Sequence, residues 1–528
     1  MALLAALALL LAGCEVAAPA PTPSAGSATT PAQAPSLAAS PATTPAQAPS
    51  LAAAPATATP ASPTATFAPA ATPTAAPNAS FAAAMRPAFA GDIAASSAMP
   101  HYKLQLWLDP AAGVISGTEQ ITLTSPAREP LAELALRLYP NFPKDVFGKG
   151  GDVQMQIGGA AVNGRAAEPR YAAQRTAALL PIAPPLAPGA TASVSISFTA
   201  TIRPWRDGSW PLPSYYPMLA AYDAGGWRLD VTRFADHVYA DSAVYAATIS
   251  APSDLTVVAS GSTVAAIAGS DGRTTWRVRS GPARELALAA GRFAVARAAA
   301  GDVAVNVYAA RSSQLDRAEV ARVAAGALAD FDRRFGAYPY AELDILLLPY
   351  EYDGGDEYPG LIIQYADGPI DAGARYVTAH EVAHQWWYGV VGNDIYRQPW
   401  LDEALAQYSA IIYAEDVAGA GVAAADWERE VLRRYRGALA DGDMPAGLGI
   451  DGYPSFNVYY RTVYGKGAVF LRALRDQLDD DAFFQGLRLY AQRARYRVAS
   501  TRDALAAFED ASGQDLRALF ERWLGPIP

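Results

Sequence analysis

HEVAHQWWYG at 380–389 and PWLDEALAQY at 399–408 are the two stretches on which the reading of this chain turns. The segment from Ala374 to Tyr388 holds no proline and runs towards Gly389 and Gly392, which predicts a helix ending there. Residues four apart on a helix share one face, about 6 Å apart along the axis, so His380 and His384 can aim both imidazoles at a single ion. Glu381 lies one residue round from His380, at the side of such an ion rather than on it. The short pattern alone is equally that of a surface histidine pair. Glu403 follows His384 after eighteen intervening residues, at the start of a second predicted helix, and a loop of that length can bring the two helices side by side. Two histidines and one glutamate leave a fourth tetrahedral position open, which is the make-up of a catalytic zinc site; a structural site fills all four with protein ligands. One zinc ion per chain is the expectation. A carboxylate in the first turn of a helix is also favoured by the helix dipole, a role compatible with ligation.

The rest of the chain narrows the chemistry. Its 528 residues are too many for one ordinary core and predict two or three domains. Half of the composition is hydrophobic and 17% is charged, which is ample material for folding. A net charge of −10 with no Lys/Arg cluster argues against nucleic acid as a partner. Cys14 is the only cysteine, which excludes an internal disulfide and a zinc site built on thiolates. Any metal site must therefore use nitrogen and oxygen, and the only histidines are His101, His237, His380 and His384.

The first 96 residues carry signals of a different kind. Ala2 to Ala12 is an apolar run of signal-peptide length, shorter than the ~20 residues that span a bilayer. It ends in Leu11-Ala12-Gly13-Cys14, which resembles the lipobox of bacterial lipoproteins, although no Lys or Arg precedes the run. Residues 1–14 are accordingly expected to be a lipoprotein-type signal. That expectation puts the protein in a bacterial cell envelope, lipid-anchored to the membrane through Cys14 on the extracytoplasmic side. From Val16 to Met85 no residue is charged, and PAQAPSLAASPATT at 31–44 returns as PAQAPSLAAAPATA at 45–58. Such a composition cannot offset its ordering entropy, so 15–96 reads as a spacer.

Beyond it the periodicity changes twice. Leu104, Leu106 and Leu108, then Leu134, Leu136 and Leu138, then Val194, Ile196, Phe198 and Ala200 alternate with polar or small residues, the mark of half-buried strands. An antiparallel β domain is expected over 97–297, with no chemistry of its own. Over 298–528 a helical stripe from Val320 to Phe335 and a buried strand near Leu343 lead into mainly helical sequence.

A third stretch, VYGKGAVF at 463–470, joins the first two in the order and spacing of one family. From about residue 100 onward the chain resembles the zinc aminopeptidases typified by membrane alanyl aminopeptidase and leukotriene hydrolase. The resemblance implies a multidomain α+β fold: an N-terminal antiparallel β sandwich or saddle, then a thermolysin-like, mainly helical zinc peptidase domain. It implies zinc held by His380, His384 and Glu403, with Glu381 as general base and Tyr464 as donor to the oxyanion. GGDEYPG at 354–360 looks like the family's Gly-x-Met-Glu-Asn exopeptidase motif with Asp in place of Met and Tyr in place of Asn. By that likeness Glu357 binds the free α-amine, and Gly355 and Asp356 also contact the substrate. Three functions are compatible with these residues: an aminopeptidase acting on peptides outside the cytoplasm, a zinc endopeptidase with an open cleft, and a peptidase-shaped surface binding protein without turnover. The altered motif around Glu357 favours the second, the surviving glutamate the first.

Overall fold

The alternation that begins at His101 is realised as strand: Leu104, Leu106 and Leu108 are buried on His101–Asp109 while Lys103 and Gln105 face outward. The computed structural model describes residues 79–143, 151, 154–232, 234, 238–366 and 368–527. His101–Asp109 lies in the middle of an eight-stranded sheet that runs in space Ser262–Ala268, Arg273–Arg279, Val244–Pro252, His101–Asp109, Val114–Thr124, Thr191–Thr201, Met155–Val162, Arg165–Ala166. A four-stranded sheet built on Leu131–Arg137 and Ala177–Leu186 shares its core, so Leu106, Ile121 and Phe198 meet Leu134, Leu136 and Leu180. Each such side chain contributes about 1.5–3 kcal/mol by leaving water, and a one-residue slip would turn the whole set outward. The expected sandwich is therefore present. One pair departs from antiparallel: Val244–Pro252 runs parallel to His101–Asp109, which it reaches by a long connection through the other sheet.

The second domain starts with a five-stranded mixed sheet in the order Phe293–Ala300, Val303–Ala310, Glu342–Pro349, Leu361–Ala366, Gly354–Asp356. Its three inner strands are parallel, and the short last one is an antiparallel edge. Since Phe293–Ala300 is part of this sheet, the domain change falls a few residues ahead of 297/298. Helix α1 (Arg317–Phe335) crosses between parallel strands, capped by Asp316 on the amides of Ala318 and Glu319, and buries Val320, Val323, Ala324, Ala327, Leu328 and Phe331. Helices α2 (Ala372–Ala383) and α3 (Glu403–Tyr413) follow and pack on each other.

Residues 79–96 differ from the spacer expected over 15–96. Short helices form at Ala79–Ala82 and Asp92–Ala95, Met85 and Ile93 are buried in the core of the second domain, and Arg86 pairs with Asp302 and Asp332 at 2.7 Å. The apolar anchors and the charge of this stretch set it apart from the Ala/Pro/Thr run before it. The signal at 1–14, Cys14 and the spacer up to residue 78 lie outside the described residues. Among the described residues no helix is long and apolar enough to cross a membrane.

Candidate metal centre and active site

Asp371 caps α2 by accepting from the amides of Gly373 at 2.7 Å and Ala374 at 3.0 Å. The helix does not run on to Tyr388 as expected but stops at His384. Beyond it the amides of Gly389, Val390 and Val391 reach back five residues, to the carbonyls of His384, Gln385 and Trp386 at 2.8, 3.1 and 2.8 Å. Only glycine fits at 389, where a Cβ would come within 2.8 Å of the Gln385 carbonyl. The wide turn has a use: it brings the Trp387 carbonyl to 3.0 Å from His384 Nδ1. A carbonyl can only accept, so Nδ1 carries the proton and the Nε2 lone pair faces the interior.

There His384 Nε2 meets His380 Nε2 at 3.1 Å, and Glu403 Oε2 lies 3.5 Å from each. A tetrahedral centre with bonds of 2.0–2.1 Å separates its ligands by about 3.3 Å, so this triangle fits a zinc ion. All three residues are buried, and Glu403 Oε2 has no hydrogen-bond partner among the described residues. Two imidazole lone pairs and a carboxylate oxygen turned on one another call for a cation between them. The electrostatics agree. Burial pulls the His380 pKa down and opposes charge on His384 too, yet the Glu357 and Glu403 carboxylates raise His384 well above its ordinary value. Burial would likewise raise Glu403, but the two imidazoles drive it well below the usual carboxylate range. The cluster stabilises positive charge at its centre.

Glu403 is delivered by the turn Pro399–Leu401 and by Asp402, which accepts from the Glu403 amide at 2.6 Å and caps α3. Burial and the neighbouring Glu403 push the Asp402 carboxyl up to about 7. Tyr464 stands on the π-helical turn Arg461–Lys466, its ring stacked 6.0 Å from that of His380 at 14°. Gly467, two residues after that turn's Gly465, allows the segment to close on α3; a Cβ there would sit 2.5 Å from the Ala404 methyl. Tyr460 packs on Tyr464 at 4.7 Å and accepts a hydrogen bond from Arg434, which holds the tyrosine side of the site in place.

Ligand atoms of Glu357, Glu381 and His384 lie within 4.8 Å of one another, which brings the proposed base and the proposed amine anchor to one side of the metal position. Gly355 lies against Glu381. A Cβ on it would fall 2.3 Å from the Glu381 carboxyl carbon, so glycine is what lets the edge strand Gly354–Asp356 rest on the base. Asp356 turns to the other face, where the Tyr365 hydroxyl donates to it at 2.6 Å.

The β domain, in which no chemistry was expected, supplies a wall. The buried Glu285 carboxylate accepts hydrogen bonds from the Ser214 and Tyr388 hydroxyls. Its neighbour Arg284 donates to the carbonyls of Tyr388, Ala240 and Arg497 at 2.7, 3.0 and 2.6 Å and so ties the two domains together. The one signal in the sequence was a charged pair within the apolar run GPARELALAAG at 281–291. Burial pushes the Glu285 carboxyl up to about 7 from 4.5. A carboxyl raised on folding favours the folded state below its unfolded pKa, and that contribution is lost as pH rises through 7. Glu285→Gln is therefore expected to gain up to about 3 kcal/mol on the native protein between pH 5 and pH 8. Urea titrations at the two pH values measure this, and parallel pH dependence in both proteins would show that Glu285 holds no proton.

Residues 322–523 match the peptidase family M1 domain. The chain is 26% identical over 237 residues to mitochondrial aminopeptidase 2 of Saccharomyces cerevisiae, covering 42% of this chain and 25% of that protein. It is 27% identical over 212 residues to aminopeptidase N of Streptomyces lividans, covering 37% and 24%. The chain thus spans about a quarter of the length of these relatives. The M1 zinc metallopeptidase of Deinococcus radiodurans has the same two-domain fold, with a TM-score of 0.60 at 22% identity over 81% of this chain and 94% of that one. A variant of that enzyme was captured with a Tyr-Ser-Ala substrate.

Proposed function

Because residues 322–523 are a peptidase family M1 domain, we propose that the protein is a zinc aminopeptidase which removes N-terminal residues from peptides. The observation that carries this reading is the triangle of His380, His384 and Glu403 at 3.1, 3.5 and 3.5 Å, with Glu381 and Glu357 beside it. Bound there, zinc supplies Lewis-acid polarisation of a carbonyl and makes water more acidic. Glu381 takes a proton from the attacking water and returns it to the leaving amine. Tyr464 donates its hydroxyl proton towards the oxygen on which negative charge develops. Among the described residues the edge strand Gly354–Asp356 has one side without a partner strand, along which an extended peptide adds by main-chain pairing. Glu357, at the end of that strand, holds the α-ammonium and so sets the first peptide bond over the metal position. The two named relatives are aminopeptidases and the Deinococcus enzyme took up a tripeptide, which supports a peptide as substrate.

The zinc-loaded full chain, given one peptide series with free and with acetylated amino termini, tests the proposal. Free peptides should shorten from the amino end. Glu357→Ala should lower their kcat/KM about ten- to a hundredfold, the worth of a charge-assisted contact in a partly dry site. Internal cleavage of acetylated peptides at comparable rates would favour the endopeptidase instead, and binding without cleavage the inactive receptor.

The Leu11–Cys14 stretch supports a further part of the proposal, that the protein is held on the extracytoplasmic side of a membrane by lipid on Cys14. Cys14→Ser should move it from the membrane to the soluble fraction. A native protein found soluble with an unmodified Cys14 thiol would end this part.

A further inference from the structure

We propose that the outer face of the eight-stranded sheet docks on a membrane surface by binding the headgroups of anionic phospholipids. This goes beyond the peptidase reading; it shares only the membrane with the proposed anchor at Cys14 and is tested without it.

The register of the sheet decides which side chains this face shows. Lys103 pairs with Ala246 and Gln120, and beyond these stand Arg279 and Ser195. Gln105 pairs with Thr248 and Thr118, and beyond these stand Arg277 and Ser197. Trp107 pairs with Ser250, Ser250 with Thr275 and Thr275 with Ile267. Partners across strands project to one face. Leu104 and Leu106, between the three rows, are buried in the core, so the rows themselves point outward.

Charge on this face runs against that of the chain. Its outward positions carry Lys103, Arg273, Arg277 and Arg279, and among the described residues one carboxylate, Asp109, at the Arg273 end. The whole chain has a net charge of −10. Burial and the neighbouring Arg277 both lower the Arg279 pKa, the mark of positive charge short of anions. Between the first two rows lies a shallow recess of about 490 Å³ whose lining includes Lys103, Gln105, Thr118, Gln120, Ser195 and Ser197. Ammonium, amide and hydroxyl groups all donate to phosphodiester oxygens. Glu119, in the same strand, turns to the buried face with its partners Leu104 and Ile196.

Two further observations favour a bilayer over a sugar polymer as the anionic partner. Trp107 and Ile267, in the third row, are 39% and 50% exposed, and an exposed Trp beside cations suits the headgroup level of a membrane. The Arg273 guanidinium lies over the Trp107 ring at 3.6 Å and takes a ring face on which a sugar would stack. The chain also joins the body here. Its described part begins at Ala79–Ala82, and the Phe81 ring lies 5.6 Å from the Arg279 guanidinium at the margin of the face. A body tethered through residues 15–78 is thus held from the side that carries the charge.

The test uses the full chain with Cys14→Ser, so that no lipid holds it, and sedimentation with vesicles of phosphatidylcholine alone or mixed equally with phosphatidylglycerol. The mixed vesicles should bind it more tightly, and added salt should weaken that binding. Each cation near an anionic surface is worth about fivefold in affinity, so Lys103→Gln with Arg277→Gln should lower binding about thirtyfold at an unchanged melting temperature. Ile267→Asp, which adds a negative charge to the face, should also weaken it, and Arg502→Gln, on the second domain, should leave it as it is. Equal binding to the two kinds of vesicle overturns the proposal, as does a loss with Arg502→Gln equal to that of the double variant. Retention on dextran sulfate without binding to either vesicle overturns it too, and gives the face to an anionic glycan.

Discussion

Alanine at His380 or at Glu403 is expected to leave a folded protein that retains no stoichiometric zinc and shows no measurable hydrolysis. The expectation follows from how few groups share the ion. His380 Nε2, His384 Nε2 and Glu403 Oε2 form the triangle, and each is buried, so no outside ligand replaces a lost one without opening the site. Zinc in a four-ligand protein site is held by about 10–16 kcal/mol, so one ligand carries on the order of 3 kcal/mol, roughly a hundredfold in affinity. Losing Glu403 costs more than its share, because it is the one anionic group of the three and its charge offsets that of the ion. Folding should survive, since α2 and α3 are capped by Asp371 and Asp402 and sit in the large core of the second domain. Metal analysis after dialysis against a zinc buffer, beside peptide hydrolysis, reads the result. Full zinc occupancy in either variant would remove these residues from the ligand set and the proposed function with them.

How much of this was legible in the sequence depends on how far each feature reaches along the chain. The paired histidines could be read because four residues on a helix is a local rule, and the strands at 101–109 and 191–201 because alternation is local too. Glu403 was within reach only because its loop is short and its charge sits at a helix start. Other features depend on contacts between distant segments. The end of α2 at His384 is set by the turn that carries the Trp387 carbonyl to the ring nitrogen, and nothing in the run HEVAHQWWYG marks that stop. That position 355 has to be glycine was out of reach as well, since the space of its missing Cβ is filled by Glu381. Glu285, Arg284 and Trp205 come from the β domain, more than a hundred residues from some of the groups they touch. Residues 79–96 continue the Ala-rich composition of the spacer before them, and the packing of Met85 and Ile93 with the ion pairs of Arg86 reveals that they are folded.

Glu381→Gln should separate holding the metal from doing chemistry. Glu381 is not a corner of the ligand triangle, and glutamine has its shape, so the contact with Gly355 survives and zinc should bind with unchanged stoichiometry. An amide cannot take up a proton at neutral pH, and a positioned base is worth about 10²–10⁴ in rate, so kcat should fall by that factor while KM changes little. Tyr464→Phe makes a parallel case. Its ring stacks on His380 with or without the hydroxyl, and loss of one oxyanion donor should lower kcat by about 10²–10³. Both losses fall on kcat because base and donor act on charge that exists only in the transition state. The neighbouring carboxylate is the rival for the role of base, since Glu357 lies in the same cluster. Rates on free and acetylated peptides tell the two apart: a base is needed for both, an amine anchor only for the free ones. A Glu381→Gln protein that turns over normally, beside a Glu357→Gln protein that is dead on both, would give the base's role to Glu357 and leave the site without an amine anchor, as in an endopeptidase.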